Sequence, residues 1–469
     1  MIKLYTCGHE ITTPLAEIIH AFTNEKIEFT KTVEQADVVS ILNGETVETV
    51  IKVSGKVFTG KNSVMPSKVR NEKQCLGDAV KKGYYLLATK AYGKTLPWGI
   101  ITGIRPKKLV MDFINAGELD EFKDRFCVSH KKIDLSILTD RAQKQIKNSL
   151  TDDSICLYVG IPFCPTRCRY CSFVSMPMDK QQELIEPYVE CLIREMEYTS
   201  GLIKGSGKKL EAVYVGGGTP SSLNEKLFDC VMSATEKYFV TDSLKEFTVE
   251  AGRADTITQA KLKSMINAGM TRVCINPQTM NDEVLKGIGR NHTSEDFENI
   301  FDVARKIGIK HINTDIIAGL PGETEEMFSD SFNRLMGLEP DAITVHTMCV
   351  KRAADLKTTD FKSYDAEKMV DYASGKLISS GYFPYYLYRQ KDTLASLENT
   401  GFAKMGKESL YNIFMMEDIG TVIGLGAGSV SKLKTDGPNK FRRVFNYKNP
   451  IEYINGFDDI IKRKEDYNL

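Results

Sequence analysis

Between Cys156 and Met348 the chain repeats one rhythm: short apolar runs of strand type alternate with longer stretches whose apolar residues recur at helical spacing. The strand-type runs are Cys156–Ile161, Glu211–Gly216, Glu246–Glu250, Arg272–Asn276, His311–Ile317 and Ala342–His346. The helical stretches lie near Glu183–Tyr198, Glu225–Tyr238, Thr258–Ala268, Asp282–Gly287, Glu295–Ile307 and Glu323–Met336. Strands that alternate with helices pair in parallel through right-handed crossovers. Six such units predict an open, partial TIM-like (β/α)6 barrel, with its chemistry at the C-terminal ends of the strands.

The flanks read differently. Residues 1–75 carry strand-like Ile2–Tyr5, Ala36–Leu42 and Thr49–Val53, a helical Pro14–Phe22 and a turn at Asn43-Gly44, a small α/β domain. His9 and His20 there read as surface or packing residues. Residues 76–150 read as mostly helical. Within them Trp98–Lys108 is an apolar loop ending in the cations Arg105, Lys107 and Lys108, either a solvated helix start or a contact for a carboxylate-bearing ligand. The barrel occupies 151–350. Residues 351–469 form a C-terminal α+β capping domain with Lys351-Arg352, the aromatic run Tyr382–Tyr388 and a glycine-rich loop Gly420–Gly428. The run is either an aromatic core or a lid over a flat substrate, with Arg389 or Lys391 reaching its carboxylates.

Composition narrows the class. In 469 residues, Lys+Arg and Asp+Glu both number 62, which argues against a dominant nucleic-acid face. No run approaches 18 apolar residues, so no membrane span is expected. The opening MIKLYTCGHE lacks the apolar core of a signal peptide. Eleven cysteines, an odd number without a disulfide framework, point to the reducing cytoplasm.

Three of those cysteines change the picture. Cys164, Cys168 and Cys171 follow the first barrel strand at spacing C-x3-C-x2-C. Such a loop can aim three thiolates at one iron–sulfur centre and leave one iron open. Zinc is the competing reading, although it prefers four ligands in paired knuckles. Other polar positions fall on the same rim. Gly216–Gly218 and Thr219 follow strand two, Glu250 ends strand three, Gln278 lies past strand four, and Asp315 sits in strand five ahead of Gly319-Leu-Pro-Gly322. The glycines let backbone approach a ligand. Glu250 and Gln278 suit hydroxyls, and Arg290 suits a carboxylate.

The cysteine loop resembles the signature of radical S-adenosylmethionine (SAM) enzymes. Leu157–Cys164, Gly216–Ser221, Gly269–Arg272, Gln278, Ile288–Thr293, Asn313–Asp315 and Gly319–Thr324 are similar to the oxygen-independent coproporphyrinogen III dehydrogenase family, with its HemN, HemW and HemZ branches. Thr102–Pro106 and Tyr385–Lys391 look most like the HemZ branch. The resemblance implies a [4Fe-4S] cluster on Cys164, Cys168 and Cys171, with one SAM or two. It implies SAM contacts from Gly217, Gly218, Thr219, Glu250, Gln278, Arg290 and Asp315, with Tyr158 and Tyr170 beside the cofactor. It implies a tetrapyrrole substrate whose propionates become vinyl groups, and a flavodoxin or ferredoxin as electron donor. Four positions depart: Gly160 stands where the dehydrogenase proper has His, Phe173 where it has a fourth Cys, and Cys274 and Asn276 where the family often has Ser and Gly. Relatives with the same core carry haem or alkylate it, and those activities are the alternatives.

Overall fold

The computed structural model describes residues 1–171, 175–178, 182–349, 363–391, 393–437, 440–467 and 469. Phe173 and Lys351-Arg352 lie outside them. The chain forms two compact units, Met1–Arg141 with Leu387–Asn399, and Ala142–Tyr386 with Thr400–Leu469. Residues 1–75 and 76–141 therefore share one unit, and residues 400–469 share the other with the barrel.

In the first unit a five-stranded sheet runs in the order Ile27–Phe29, Ile2–Cys7, Val38–Asn43, Thr46–Val53, Lys56–Ser63. The first three strands are parallel to their neighbours, and the last three form an antiparallel meander. Its first turn is the expected Asn43-Gly44, with Gly44 at φ +61°. Lys56–Ser63 escapes a sequence reading because its half-buried face, Phe58, Gly60 and Asn62, is mostly not apolar, so no apolar alternation marks it. His9 bonds the Ser40 hydroxyl and His20 the Glu25 carbonyl, both packing roles. Helices Thr13–Thr23, Glu72–Tyr92, Pro106–Asn115 and Leu119–Phe126 complete the unit, and its division from the second falls within helix His130–Asn148.

The second unit holds the six expected strands as Ser154–Ile161, Lys209–Gly217, Glu246–Gly252, Arg272–Ile275, Ile312–Ala318 and Ala342–Thr347, all parallel in that order. This is the partial barrel. The helix expected at Glu183–Tyr198 runs on to Ser206 and stops before Gly207 at φ +71°. The C-terminal segment lengthens the sheet at both edges. Val422–Leu425 pairs in parallel with the first barrel strand and continues into Val430–Lys434 and Phe441–Phe445, while Glu398–Ala403 pairs antiparallel with the sixth.

Period-two alternation sorts the barrel's side chains. One face of each strand is apolar: Leu157, Val159, Val213, Val215, Phe247, Val249, Val273, Ile275, Ile316, Ile343 and Val345 are all buried. The alternate set is largely polar or small. It comprises Tyr158, Gly160, Tyr214, Gly216, Thr248, Glu250, Cys274, Asn276, Asn313, Asp315, Thr344 and His346. Register aligns Tyr158 with Tyr214, Gly160 with Gly216 and Asp315 with Thr344. The face that would be core in a smaller fold is here built to meet something polar.

Candidate cluster and cofactor site

The first barrel strand ends at Ile161. After Pro162 a two-residue strand, Phe163–Cys164, pairs with Met176–Pro177. Cys164, Cys168 and Cys171 are all half-buried, and none is in a disulfide. The glycine run after strand two clamps one side of their loop: the Gly218 amide donates to the Ile161 carbonyl at 2.8 Å and the Thr219 amide to Phe163 at 2.7 Å. A Cβ on Gly218 would sit 2.5 Å from the Phe163 carbonyl oxygen and 2.9 Å from the Cys164 sulfur. Only glycine fits there. The Thr219 hydroxyl lies 3.5 Å from Cys164 Sγ. On the other side the Arg169 amide donates to the Ile288 carbonyl and its guanidinium to Gly287, both at 3.0 Å. Burial pushes the Cys164 thiol up, opposed by Thr219 and Ser175.

Three cysteines on one loop suit ligands of separate irons in one cluster, whereas structural zinc prefers four ligands in paired knuckles.

Two arginines brace the loop from the rim. Arg290, buried, donates to the Asn276 carbonyl at 2.6 Å and to the Tyr170 hydroxyl at 3.1 Å. Arg253 forms a two-point pair with Asp255 at 3.0 and 2.6 Å, bonds the Thr166 hydroxyl at 2.7 Å and reaches Cys168 Sγ at 3.9 Å. His292 Nδ1 lies 3.8 Å from Asp255. Burial pushes the Asp255 carboxyl up, but His292 and Arg253 outweigh it and hold the group well below the usual range. Arg253, Asp255 and His292 were not expected from the sequence as a group. The residues they join lie tens of positions apart, and only the strand order brings them together.

Farther into the barrel, Glu250 faces Asp315. Burial first, then the Asp315 charge, pushes the Glu250 carboxyl up to about 8. Burial pushes Asp315 the same way, but His346, Asn313 and Thr344 hold it below its ordinary value. Its oxygens lie 3.5 Å from His346 Nε2 and 3.0 Å from Asn313 Nδ2. One carboxyl is thus protonated near neutrality while its neighbour is ionised. A Cβ on Gly216 would meet Glu250 Oε2 at 2.8 Å, so the carboxyl lies on bare backbone. Tyr158 belongs to a stack with Tyr214 and Tyr411, at centroid distances of 6.2 Å and 6.4 Å. Gln278 holds φ +71°, a left-handed conformation that costs a side-chain-bearing residue energy and persists where the surroundings impose it. Its amide donates to the Asp315 carbonyl at 3.0 Å and its carbonyl accepts from the Ile317 amide at 2.9 Å.

Several buried polar atoms on this rim lack hydrogen-bond partners among the described residues: Asn276 Oδ1, Gln278 Oε1, Arg290 Nε and Glu323 Oε2. Buried polar groups are nearly always bonded, so a cluster of exceptions marks where a polar ligand belongs. Arg389 and Lys391, expected as substrate contacts, have other partners. Arg389 is buried in the first unit and bonded to the Ile101 carbonyl, and Lys391 lies 2.7 Å from Glu17.

The Radical SAM superfamily model matches residues 158–335. The chain is 36% identical over 397 residues to the oxygen-independent coproporphyrinogen-III oxidase-like protein HemZ of Bacillus subtilis, covering 82% of this chain and 79% of that one. It belongs to that family of radical SAM proteins. The HemZ family has wider kin. The chain is 30% identical over 281 residues to the haem chaperone HemW of the same organism, covering 58% of this chain and 69% of that one. The solved coproporphyrinogen III oxidase HemN of Escherichia coli shares the fold, with a TM-score of 0.54, 22% identity and coverage of 70% of this chain and 73% of that one. A radical SAM protein uses a [4Fe-4S] cluster and SAM. The site fits both: three thiols outside any disulfide, a cradle at Gly218 that a Cβ would fill, and donors and acceptors without partners among the described residues around it.

Proposed function

We propose that this protein oxidatively decarboxylates the propionates of coproporphyrinogen III to vinyl groups, forming protoporphyrinogen IX in the cytoplasm without oxygen. The observation that carries the reading is identity to the HemZ protein across 82% of the chain, well beyond the barrel common to all radical SAM proteins. The bound cluster and SAM supply the one-electron chemistry that removes a hydrogen atom from a propionate, after which carbon dioxide and one further electron leave.

The chain's own residues bind, orient and seal. Cys164, Cys168 and Cys171 hold the cluster, and Gly218 lets it approach the backbone. Gly217, Gly218 and Thr219 take the amino-acid end of SAM. Arg290 takes its carboxylate, through the free Nε edge that Asn276 and Tyr170 leave open. Glu250, protonated near pH 7, donates to a ribose hydroxyl, while ionised Asp315 and Gln278 Oε1 accept from others. The stack of Tyr158, Tyr214 and Tyr411 closes the barrel beneath and excludes water. A flavodoxin or ferredoxin supplies the electron, and whether one SAM or two is bound follows from titration.

A second reading has its own observation. A Cβ on Gly160 would lie 3.2 Å from the Leu425 carbonyl oxygen and 3.5 Å from that of Ala427. The glycine-rich segment would have to shift by a few tenths of an ångström to admit the His that the dehydrogenase proper carries there, and its packing around a glycine favours a haem carrier. Anaerobic reconstitution with reductant and SAM separates the two. 5′-Deoxyadenosine that forms only with coproporphyrinogen III, together with stepwise loss of formic-acid mass from the porphyrinogen, is the expected outcome. Slow, substrate-independent SAM cleavage with stoichiometric haem binding would replace the oxidase with the carrier, and alkylated tetrapyrrole would replace it with a transferase.

A further inference from the structure

The barrel's interior is short of positive charge. Of the polar set that the six strands turn inward, His346 is the one side chain that can carry it. The arginines past the strand ends are committed. Arg253 is held by Asp255 and Thr166. Arg290 is held by the Asn276 carbonyl and Tyr170, and its remaining edge goes to SAM in the reading above. Arg389 and Lys391 are bonded to Ile101 and Glu17. A coproporphyrinogen carries a propionate on every ring, so a barrel that takes one in needs a partner for a carboxylate.

His346 is the last residue but one of the sixth strand, Ala342–Thr347. Register pairs Asp315 with Thr344 and Ile317 with His346, so His346 stands one inward position nearer the mouth than Asp315. Its Nε2 lies 3.5 Å from Asp315 Oδ2, and the other oxygen of that carboxylate accepts from Asn313 Nδ2 at 3.0 Å. Asp315 is 14% exposed and the imidazole 27%. Among the described residues the ring has no second hydrogen-bond partner. A carboxylate behind an imidazole fixes the ring and leaves its other nitrogen to serve a ligand. Gln278, bridged to the fifth strand at Ile316, keeps Oε1 buried without a partner among the described residues. Both flanks of the fifth strand are thus left to be completed by something the barrel takes in. Glu250, held protonated near neutrality, sets no negative charge against an incoming carboxylate.

We propose that His346 receives a propionate carboxylate of the tetrapyrrole, its Nδ1–H donating to the propionate while its Nε2–H donates to Asp315. Between two carboxylates the ring is an imidazolium with both N–H groups used, and hydrogen bonds between ionised partners are the strong ones. The assignment rests on the tetrapyrrole reading above. Haem carries propionates too, so the contact serves oxidase and carrier alike. It docks the substrate one step mouthward of Asp315, beside the groups assigned to SAM.

The test is anaerobic titration of the intact, cluster-bearing protein with coproporphyrin III, followed by porphyrin fluorescence, with haem, followed by absorbance, and with SAM, followed by calorimetry. His346→Leu is expected to weaken coproporphyrin III at least about ten-fold, as loss of one partner of a hydrogen-bonded charge pair does, and to leave SAM affinity unchanged. His346→Gln, which keeps a donor to Asp315 and loses the charge, is expected to weaken it less. The tetramethyl ester of coproporphyrin III has no carboxylate. With the same detergent in every titration, it is expected to bind the wild type and His346→Leu alike. Haem affinity is expected to fall with that of coproporphyrin III while the spectrum of bound haem stays the same. Unaltered circular dichroism and cluster absorbance show that each variant is folded. Unchanged coproporphyrin III affinity in His346→Leu, an equal loss for the ester, or an equal loss for SAM would each overturn the proposal. A loss confined to haem, with a changed haem spectrum, would overturn it in favour of an iron ligand. The oxidase reading fails separately: His346-dependent binding without decarboxylation removes the reaction and keeps the contact, whereas decarboxylation with unchanged His346→Leu affinity removes the contact alone.

Discussion

Two regions of the second unit bury charge in opposite ways. Behind the barrel's first strand, Glu195 is fully buried and its carboxylate accepts four times: from the Gly426 amide at 2.8 Å, Asn446 at 2.8 Å, the Tyr453 hydroxyl at 2.6 Å and Lys464 at 3.2 Å. Helix Gln182–Ser206 is thereby tied to the C-terminal segment. At the barrel mouth, Asn276, Gln278, Arg290 and Glu323 are also buried, yet each keeps an atom with no partner among the described residues. Low dielectric makes a satisfied network rigid and an unsatisfied one costly. The first region is finished without a ligand, whereas the second is finished by one. Stability and function should therefore separate between them on mutation.

The largest effect expected is at the mouth, on function alone. Replacing any one of Cys164, Cys168 or Cys171 with Ala is expected to abolish the cluster's absorbance and all SAM cleavage. The same changes should alter the stability of the metal-free protein by less than about 1 kcal/mol, because half-buried thiols leave small cavities. A cysteine variant that unfolds the metal-free protein would break the contrast.

Next comes the reverse case. Glu195→Ala strands the Lys464 ammonium in the interior and is expected to cost about 3–5 kcal/mol, read by denaturant unfolding. Glu195→Gln, which keeps most of the acceptor geometry, should lose less. Cluster assembly in whatever protein remains folded should be unaffected. A loss below about 1 kcal/mol for Glu195→Ala would mean the two regions do not differ as their hydrogen bonds say.

Arg253 sharpens the comparison because it takes part in both modes. It is saturated by Asp255 and Thr166, yet it extends one N–H toward Cys168 Sγ. A donor to a cluster thiolate stabilises the more negative, reduced state. Arg253→Leu is expected to lower the reduction potential and to slow SAM cleavage about ten-fold, in the range for groups just outside a metal's ligands. Spectroelectrochemistry reads the first directly. An unchanged potential would confine Arg253 to holding the loop.

The same contrast explains what could be read from the sequence. The six strands were legible because their period-two pattern puts apolar residues against helices, and the rim positions were legible because they follow strand ends. Cys164, Gly218, Gln278 and Arg290 stand just past strand ends at the C-terminal mouth of the barrel, and Glu250 and Asp315 lie within strands farther in. Arg253 and His346 were missed because they matter through partners 85 and 31 residues away. Val422–Leu425 was missed as a parallel neighbour of the first strand because its glycine-rich sequence signals a loop. Glycine is needed there for packing: a Cβ on Gly426 would meet the Gly160 carbonyl oxygen at 2.3 Å.

A pH dependence tests whether the mouth stores unfavourable charge. Glu250 is held up to about 8 by burial and Asp315, against an ordinary value near 4.5. Between those two pH values the unfolded chain has given up this proton while the folded one keeps it. The folded state thus binds more protons, and stability falls as pH rises across that window, then levels above about 8. Glu250→Gln cannot ionise and escapes the loss. The variant should gain on the wild type progressively from about pH 4.5 to about pH 8 and hold a constant margin beyond. SAM binding responds with the same sign but in a later window. If protonated Glu250 donates to the ribose, wild-type affinity weakens above about pH 8 while that of Glu250→Gln, still a donor through its amide, stays flat. A stability difference that does not change with pH would remove Glu250 from the set of groups that wait for a ligand. The mouth would then differ from the Glu195 network by its unpartnered amides and guanidinium alone.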